Sequence, residues 1–456
     1  MRLDMTMFKK TIGAAAMVAV AAAHAGVTAD EAKQLGSTLT AFGAEKAASK
    51  DGLIPEYNGG LTSIPAGFVK GGGMRPDPYA DDQPRLVITG KTIAGHEDQL
   101  TAGTRELLKR YPSYRVDVYP TRRSVNYPKF IIENTARNAL NARTSDGGVG
   151  LDGALAGVPF PVPKTGYEVM WNHLLRYQGQ AMFIKYDSWN IDVSGHPTLA
   201  TTGEIYEDFP LSDPKRSETA KQGEVFFRTK LNYTAPARRA GEGLMVFDAV
   251  NPLVQARKVW QYLPGQRRVK LAPDVAYDTP NPGSAGASTY DDAWVFNGAM
   301  DRYDFKLIGK KEMIVPYNDY KLAYHTVAAD VTTPKHINPD LVRWELHRVW
   351  VVEATLKPGK RHIYSKRVFY VDEDSWVAVA SDEYDGRGQL YRSSFDHMTF
   401  SYDVQAVQSG NHMIYDFVSG SYNISGLSGH LGGVKYIGPL KPTDWAADAL
   451  AGAGVR

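Results

Sequence analysis

Between Trp344 and Phe395, runs rich in Val, Trp, Tyr and Phe are broken at near-regular intervals by Lys357-Pro358-Gly359-Lys360, Asp372-Glu373-Asp374-Ser375 and Asp385-Gly386-Arg387-Gly388. β-Branched and aromatic residues suit a pleated surface, and Pro, Gly and Asp supply turn dihedrals, so the stretch predicts four strands of an antiparallel meander. With four-residue turns, Leu356 faces Arg361, Trp350 faces Arg367, Val371 faces Trp376 and Tyr384 faces Gln389. Alternation then puts Trp344, Leu346, Trp350 and Phe369 on one face with the small Ala378 and Ala380. Large rings beside alanines fit a packed core or a hollow that holds something apolar. Arg348 and Arg367 point into the same face. They read as a clamp for an anionic head group, or as structural residues, Arg367 stacking on Trp350 and reaching Asp382.

Upstream, Thr165-Gly166-Tyr167-Glu168 is a capping box. Tyr167, Met170, Trp171, Leu174 and Leu175 then recur at helical spacing, an apolar stripe over a helix running to near Gly179. Met170, Trp171 and Leu174 are expected to face the sheet and share its apolar cavity; His173 is expected at the surface. Further helices are predicted at Thr101–Tyr111 and Phe130–Leu140. Strands are predicted near Met182–Ile191, Thr198–Ile205, Glu224–Leu231, Leu244–Val250, Lys258–Leu263, Arg267–Leu271, Arg302–Val315, Thr399–Gln408 and His412–Phe417, with a long loop at 273–297. The pattern is α+β and mainly β. It is expected to form one domain over 26–456: a loop-rich and helical part (26–180) with a long irregular N-terminal segment, a main sheet (181–417) and a tail (418–456).

Phe8-Lys9-Lys10, the apolar run Ile12–Ala22 and Ala23-His24-Ala25 read as a secretory signal peptide cleaved after Ala25. Removing it lowers Lys+Arg from 52 to 49 and Asp+Glu from 50 to 49, so the mature chain is formally neutral and offers no electrostatic case for nucleic acid. There is no cysteine, which excludes disulfides, thiolate chemistry and Cys-ligated metals. A mature protein in the periplasm of a Gram-negative bacterium follows.

Catalytic signatures are weak. The G-x-G-x-x-G at Gly148, Gly150 and Gly153 lacks the preceding strand and following helix of a dinucleotide site, and reads as a loop. Glu345 and His347 could supply two metal ligands but lack a third, and His362 is expected far from them. No cofactor and no catalytic set is expected.

Several stretches, among them YPTRRSVNYP (119–128), GVPFPVPKTGYEVMWNHLLRY (157–177), VWQYLPGQRRVKLAPDVAYDTP (259–280) and DEYDGRGQLYR (382–392), resemble a proteobacterial family of unknown function described as outer-membrane lipoprotein-sorting-like. The resemblance implies a lipoprotein-carrier-like half-barrel, a large curved antiparallel sheet with helices on its concave side. It also implies association with a resistance-nodulation-division-type transporter and an outer-membrane protein, and it carries no residue roles. Together with the aromatic face, it leads to the expectation of a soluble, non-enzymatic periplasmic carrier of a hydrophobic, lipid-like molecule. A hydrolase or lyase on a hydrophobic substrate and a protein-only assembly factor of the cell envelope are the alternatives.

Overall fold

In a computed structural model of the protein, residues 27–453 are described; the predicted signal peptide lies outside them. Sixteen strands form one open, mixed sheet. In chain order they are β1 (Leu86–Thr89), β2 (Arg115–Val118), β3 (Ala181–Ile191), β4 (Pro197–Asp208), β5 (Val225–Ala235), β6 (Gly243–Ala249), β7 (Lys258–Leu263) and β8 (Arg268–Leu271). There follow β9 (Tyr303–Pro316), β10 (Trp344–Leu356), β11 (Lys366–Asp372), β12 (Ala378–Tyr384), β13 (Leu390–Asp396), β14 (His412–Asp416), β15 (Ser421–Leu427) and β16 (Val434–Tyr436). The spatial order is β1-β2-β10-β11-β12-β13-β14-β15-β3-β4-β5-β6-β7-β8, with β9 against β10 and β16 against β3. All pairs are antiparallel except β2–β10, joined in parallel at Val118 and Trp344. The sheet therefore draws strands from both sides of the 181–417 segment assigned to it from sequence. Thr399–Gln408 is not part of it: Thr399–Ser401 and Ala406–Gln408 form a separate ribbon.

The meander exists, but its register differs from the tight-turn expectation. Trp350 pairs with Val371 and Ala354 with Arg367, because the β10–β11 connection runs from Lys357 to Ser365. His362 and Tyr364 leave the strand direction to bond Asp291 and Asp292. Tertiary partners override the short turn. The slip is even, so the β10 and β11 faces keep their members. Between β11 and β12 it is otherwise: a bulge between Tyr370 and Val371 leaves Val371 opposite Ala378 but puts Ala380 opposite Tyr370. Ala380 thus lies on the opposite face from Phe369, whose partner is Ser381.

Both faces of the meander are covered. Helix α1 (Ala102–Arg110) packs on β12 and β13, and Asp382 accepts bonds from its first N–H groups, Ala102 (2.9 Å) and Gly103 (2.8 Å). A carboxylate there offsets the unpaired donors and partial positive charge of the helix start. Helix α2 spans Lys129–Asn141. Helix α3 (Gly166–Leu174) has the predicted capping box from Thr165 and Glu168. It lies on β9 and β10 so closely that a Cβ at Gly166 would sit 2.6 Å from the Phe305 carbonyl oxygen and 2.9 Å from Val352. The glycine-rich 146–153 stretch is a two-stranded turn under α3, its Gly148 carbonyl accepting the Trp171 indole N–H (3.0 Å). Among the described residues no helix is long and apolar enough to cross a membrane.

Candidate functional site

The apolar residues singled out in the sequence are filled core. Phe369 and Ala378 are fully buried, and Trp344, Leu346, Met170, Trp171 and Leu174 nearly so. Phe296 abuts Phe369 (ring centroids 5.4 Å) and Phe305 stacks on it (6.3 Å), occupying the space that small neighbours were expected to leave. Trp344 packs on Phe395, and Lys310 sits over the half-buried Trp350 ring at 4.7 Å. Trp171 and Leu174 border a cavity of only about 30 Å³. His173 is a core residue: its Nδ1 accepts from Ala378 N–H (2.9 Å) and its Nε2 meets the Phe296 carbonyl (2.9 Å). Burial, then the Arg176 charge, holds its pKa well below the usual imidazole value, so the ring is neutral and ties α3 to β12.

The arginines are internal clamps. Arg367, fully buried, donates to Asp292 (3.0 Å) and to the Val295 carbonyl (2.8 Å), with Asp291 at 3.5 Å. It packs against Phe296, Tyr364 and Phe369, where stacking on Trp350 and a reach to Asp382 were expected. Although burial pushes Asp291 up, His362 and Arg367 hold it below the usual carboxylate range. Arg348 binds the Ala47 carbonyl (3.1 Å) and faces Glu45, Glu312 and Glu373. Neither arginine is left free for a head group. Glu345 and His347 do meet a third group: His347 Nε2 lies 2.9 Å from Glu345 and Nδ1 3.3 Å from Asp372, while Tyr317 stacks on the ring at 3.7 Å. Burial opposes charge on His347, but Asp372 and Glu345 outweigh it and raise its pKa to about 9. No group of His, Asp and Glu among the described residues has the geometry to hold a metal ion.

What Arg367 clamps is a strap. Residues 281–297, within the long loop predicted from sequence, cross the covered face of the sheet. Asp291 and Asp292 are held by His362, Tyr364 and Arg367. At the end of the strap, Arg257 pairs with Asp248 (2.6 Å) and donates to the Asn297 carbonyl (2.8 Å). Trp294 and Val295 take φ of 52° and 69°, turning the Trp294 ring onto Phe227 (4.8 Å) and Arg176 (5.2 Å).

Between this strap and the inner residues of β3–β6 is a cavity of about 180 Å³. Ile205, Leu231, Leu244 and Val246 form its floor; Tyr290 and Trp294 of the strap form its roof. A cavity of about 150 Å³ lined by aliphatic and aromatic side chains takes a benzene-sized molecule, so this one admits a short apolar group. Its lining is not wholly apolar: Arg257, Asn281, Ser288, Asn297 and Ser425 border it beside Glu207, Thr229 and His412. Glu207 and Thr229 lie opposite each other on β4 and β5. His412 of β14 also borders it, with no hydrogen-bond partner for Nε2 and a pKa lowered by burial to about 4. Sequence reasoning placed these residues on or near strands but gave them no role. The available signal was Glu207 itself, a carboxylate two residues from Ile205 and so on the inward register of β4.

Fold and site together define a mainly β protein with one large open sheet and an apolar cavity roofed by an ion-paired strap. The chain belongs to the family described as Protein of unknown function (DUF1329), whose model matches residues 87–451. It is 42% identical over 405 residues to the uncharacterized protein PA3922 of Pseudomonas aeruginosa, covering 88% of each chain. Among solved structures it is similar to a putative outer membrane lipoprotein-sorting protein domain of Vibrio parahaemolyticus (TM-score 0.43, 14% identity, 62% of this chain and 97% of that one). It is also similar to a DUF1329 family protein of Desulfovibrio piger (TM-score 0.43, 17% identity, 62% and 97%) and a LolA superfamily protein of Nitrosomonas europaea (TM-score 0.38, 12% identity, 63% and 100%).

Proposed function

We propose that this protein is a non-enzymatic periplasmic carrier that holds a lipid-like apolar molecule between the β3–β6 floor and the strap, and serves an exporter and outer-membrane system. The observation that carries this reading is the cavity, whose floor and roof are mainly aliphatic and aromatic side chains. Burying an apolar chain there contributes about 25 cal/mol per Å². The site differs from the one expected on the meander; the kind of cargo does not.

Native mass spectrometry of protein purified from periplasm, followed by lipid extraction, tests it. The expected result is a chain beginning at Gly26 with an apolar adduct. Leu244→Trp, which fills the floor, is expected to lower the affinity for an apolar probe at least about tenfold, a loss of about 1.4 kcal/mol, with the fold retained by circular dichroism. A chain that carries nothing and binds no apolar probe would leave the protein-only assembly role standing.

A hydrolase or lyase reading rests on one observation, the unpartnered His412 at the cavity edge. Its cross-strand neighbour Ser425 is engaged with Ser188 (2.8 Å) and Asn423 (2.9 Å), so no serine is poised on the imidazole. Turnover of a chromogenic ester abolished by His412→Ala would favour that reading.

A further inference from the structure

Glu207 and Thr229 form a polar pair on the wall of the cavity. They are direct cross-strand partners, are 7% and 8% exposed, and both line the cavity. The Thr229 hydroxyl has no hydrogen-bond partner, and the Glu207 carboxyl forms no hydrogen bond or ion pair among the described residues. A buried polar group left unsatisfied costs about 1–3 kcal/mol. Two side by side on the cavity wall, each two residues from an apolar wall residue (Ile205 and Leu231), make a recess complementary to one small polar group.

Resting on the carrier reading above, we propose that Glu207 and Thr229 are the polar subsite of the cavity and receive the hydroxyl of an otherwise apolar, uncharged alcohol. The hydroxyl donates to the carbonyl oxygen of the Glu207 carboxyl and accepts from Thr229 Oγ1–H. The charge state agrees. Burial pushes the Glu207 carboxyl up to about 8, with the Arg176 charge opposing it, so near neutrality the recess is uncharged. The Arg176 guanidinium is itself committed to the His173 carbonyl and Gln178, and the cavity-lining Arg257 to Asp248 and the Asn297 carbonyl, so a carboxylate ligand would enter without a free counter-ion. An ammonium would ionise Glu207 and bury an ion pair, whose desolvation offsets most of its attraction.

The test is calorimetric titration of the delipidated protein at pH 7 with four ten-carbon probes: 1-decanol, methyl nonyl ether, decanoate and decylamine. The alcohol is expected to bind about tenfold tighter than the ether, which lacks the donor, and tighter than either charged probe. Glu207→Leu is expected to bring alcohol and ether within about threefold while leaving the ether's affinity unchanged; the near-isosteric Thr229→Val is expected to weaken both about equally, since either oxygen accepts from Thr229 Oγ1–H. Ether and alcohol binding equally to the wild type would overturn the subsite and leave the carrier reading intact, as would tightest binding of decanoate or decylamine. Unchanged affinity of both probes for Thr229→Val would also overturn it, whatever the fate of Glu207→Leu. If no probe binds the wild type, the carrier reading falls, and the subsite with it.

Discussion

His347 illustrates how far burial and charge can move a single group. It has carboxylates on both nitrogens and a tyrosine ring on its face, and these lift its pKa from 6.5 to about 9. A folded-state pKa above the unfolded value means that the folded protein binds more protons in between. The stabilisation is therefore complete below about pH 6.5 and is lost as pH rises through about 9. Urea denaturation of wild type and His347→Gln at intervals from pH 6 to 10 checks this: the wild type is expected to lose stability over that window and the variant to show a flatter profile. Asp372, held below its usual range by the same imidazole despite its burial, keeps its charge through the window. At this scale the sequence spoke partly. Glu345 and His347, two apart on one strand, were legible as neighbours, but Asp372 joins them across a register that only the fold sets.

At the scale of elements, strands and helices were readable wherever one face met water or a capping box announced a start. The strands of β3–β7 lie close to where their patterns placed them; helix α3 starts at its predicted cap but ends at Leu174, short of the expected Gly179. What escaped has physical causes. The meander is buried on both faces, by α1 on one side and by α3 and the strap on the other, so alternation lost its meaning there. A bulge then moved Ala380 across the sheet. The strap carries no periodicity at all, and its conformation is imposed by partners such as Arg367, distant in sequence. Arg367→Met is the corresponding test. Removing one partner from a buried ion pair costs about 3–5 kcal/mol, because Asp291 and Asp292 remain desolvated. The midpoint of urea unfolding is expected to fall accordingly. Amide exchange across 281–297 is expected to quicken more than exchange in β3–β5.

Over the whole molecule, one hydrophobic core runs from Phe42 to Val434. Two small satellite clusters sit apart from it, one around Leu244, Val246, Val259 and Tyr290, the other around Met245, Tyr262, Trp445 and Leu450. Both belong to the β6–β8 end of the sheet. Local stability follows local burial, so hydrogen exchange monitored by mass spectrometry is expected to show β7 and β8 opening at lower free energy than β10–β13. Uniform protection across all of these strands would contradict that gradient. Loosening at this end borders the cavity, since Leu244 and Val246 belong to both. Consecutive strands β8 and β9 lie near opposite ends of the sheet, and the chain between them, 272–302, has to travel back over the covered face. That span behaves as a belt of fixed length. Any widening of the β3–β8 half is expected to pull on the same peptide that roofs the hollow, which ties the size of the hollow to the curvature of the sheet.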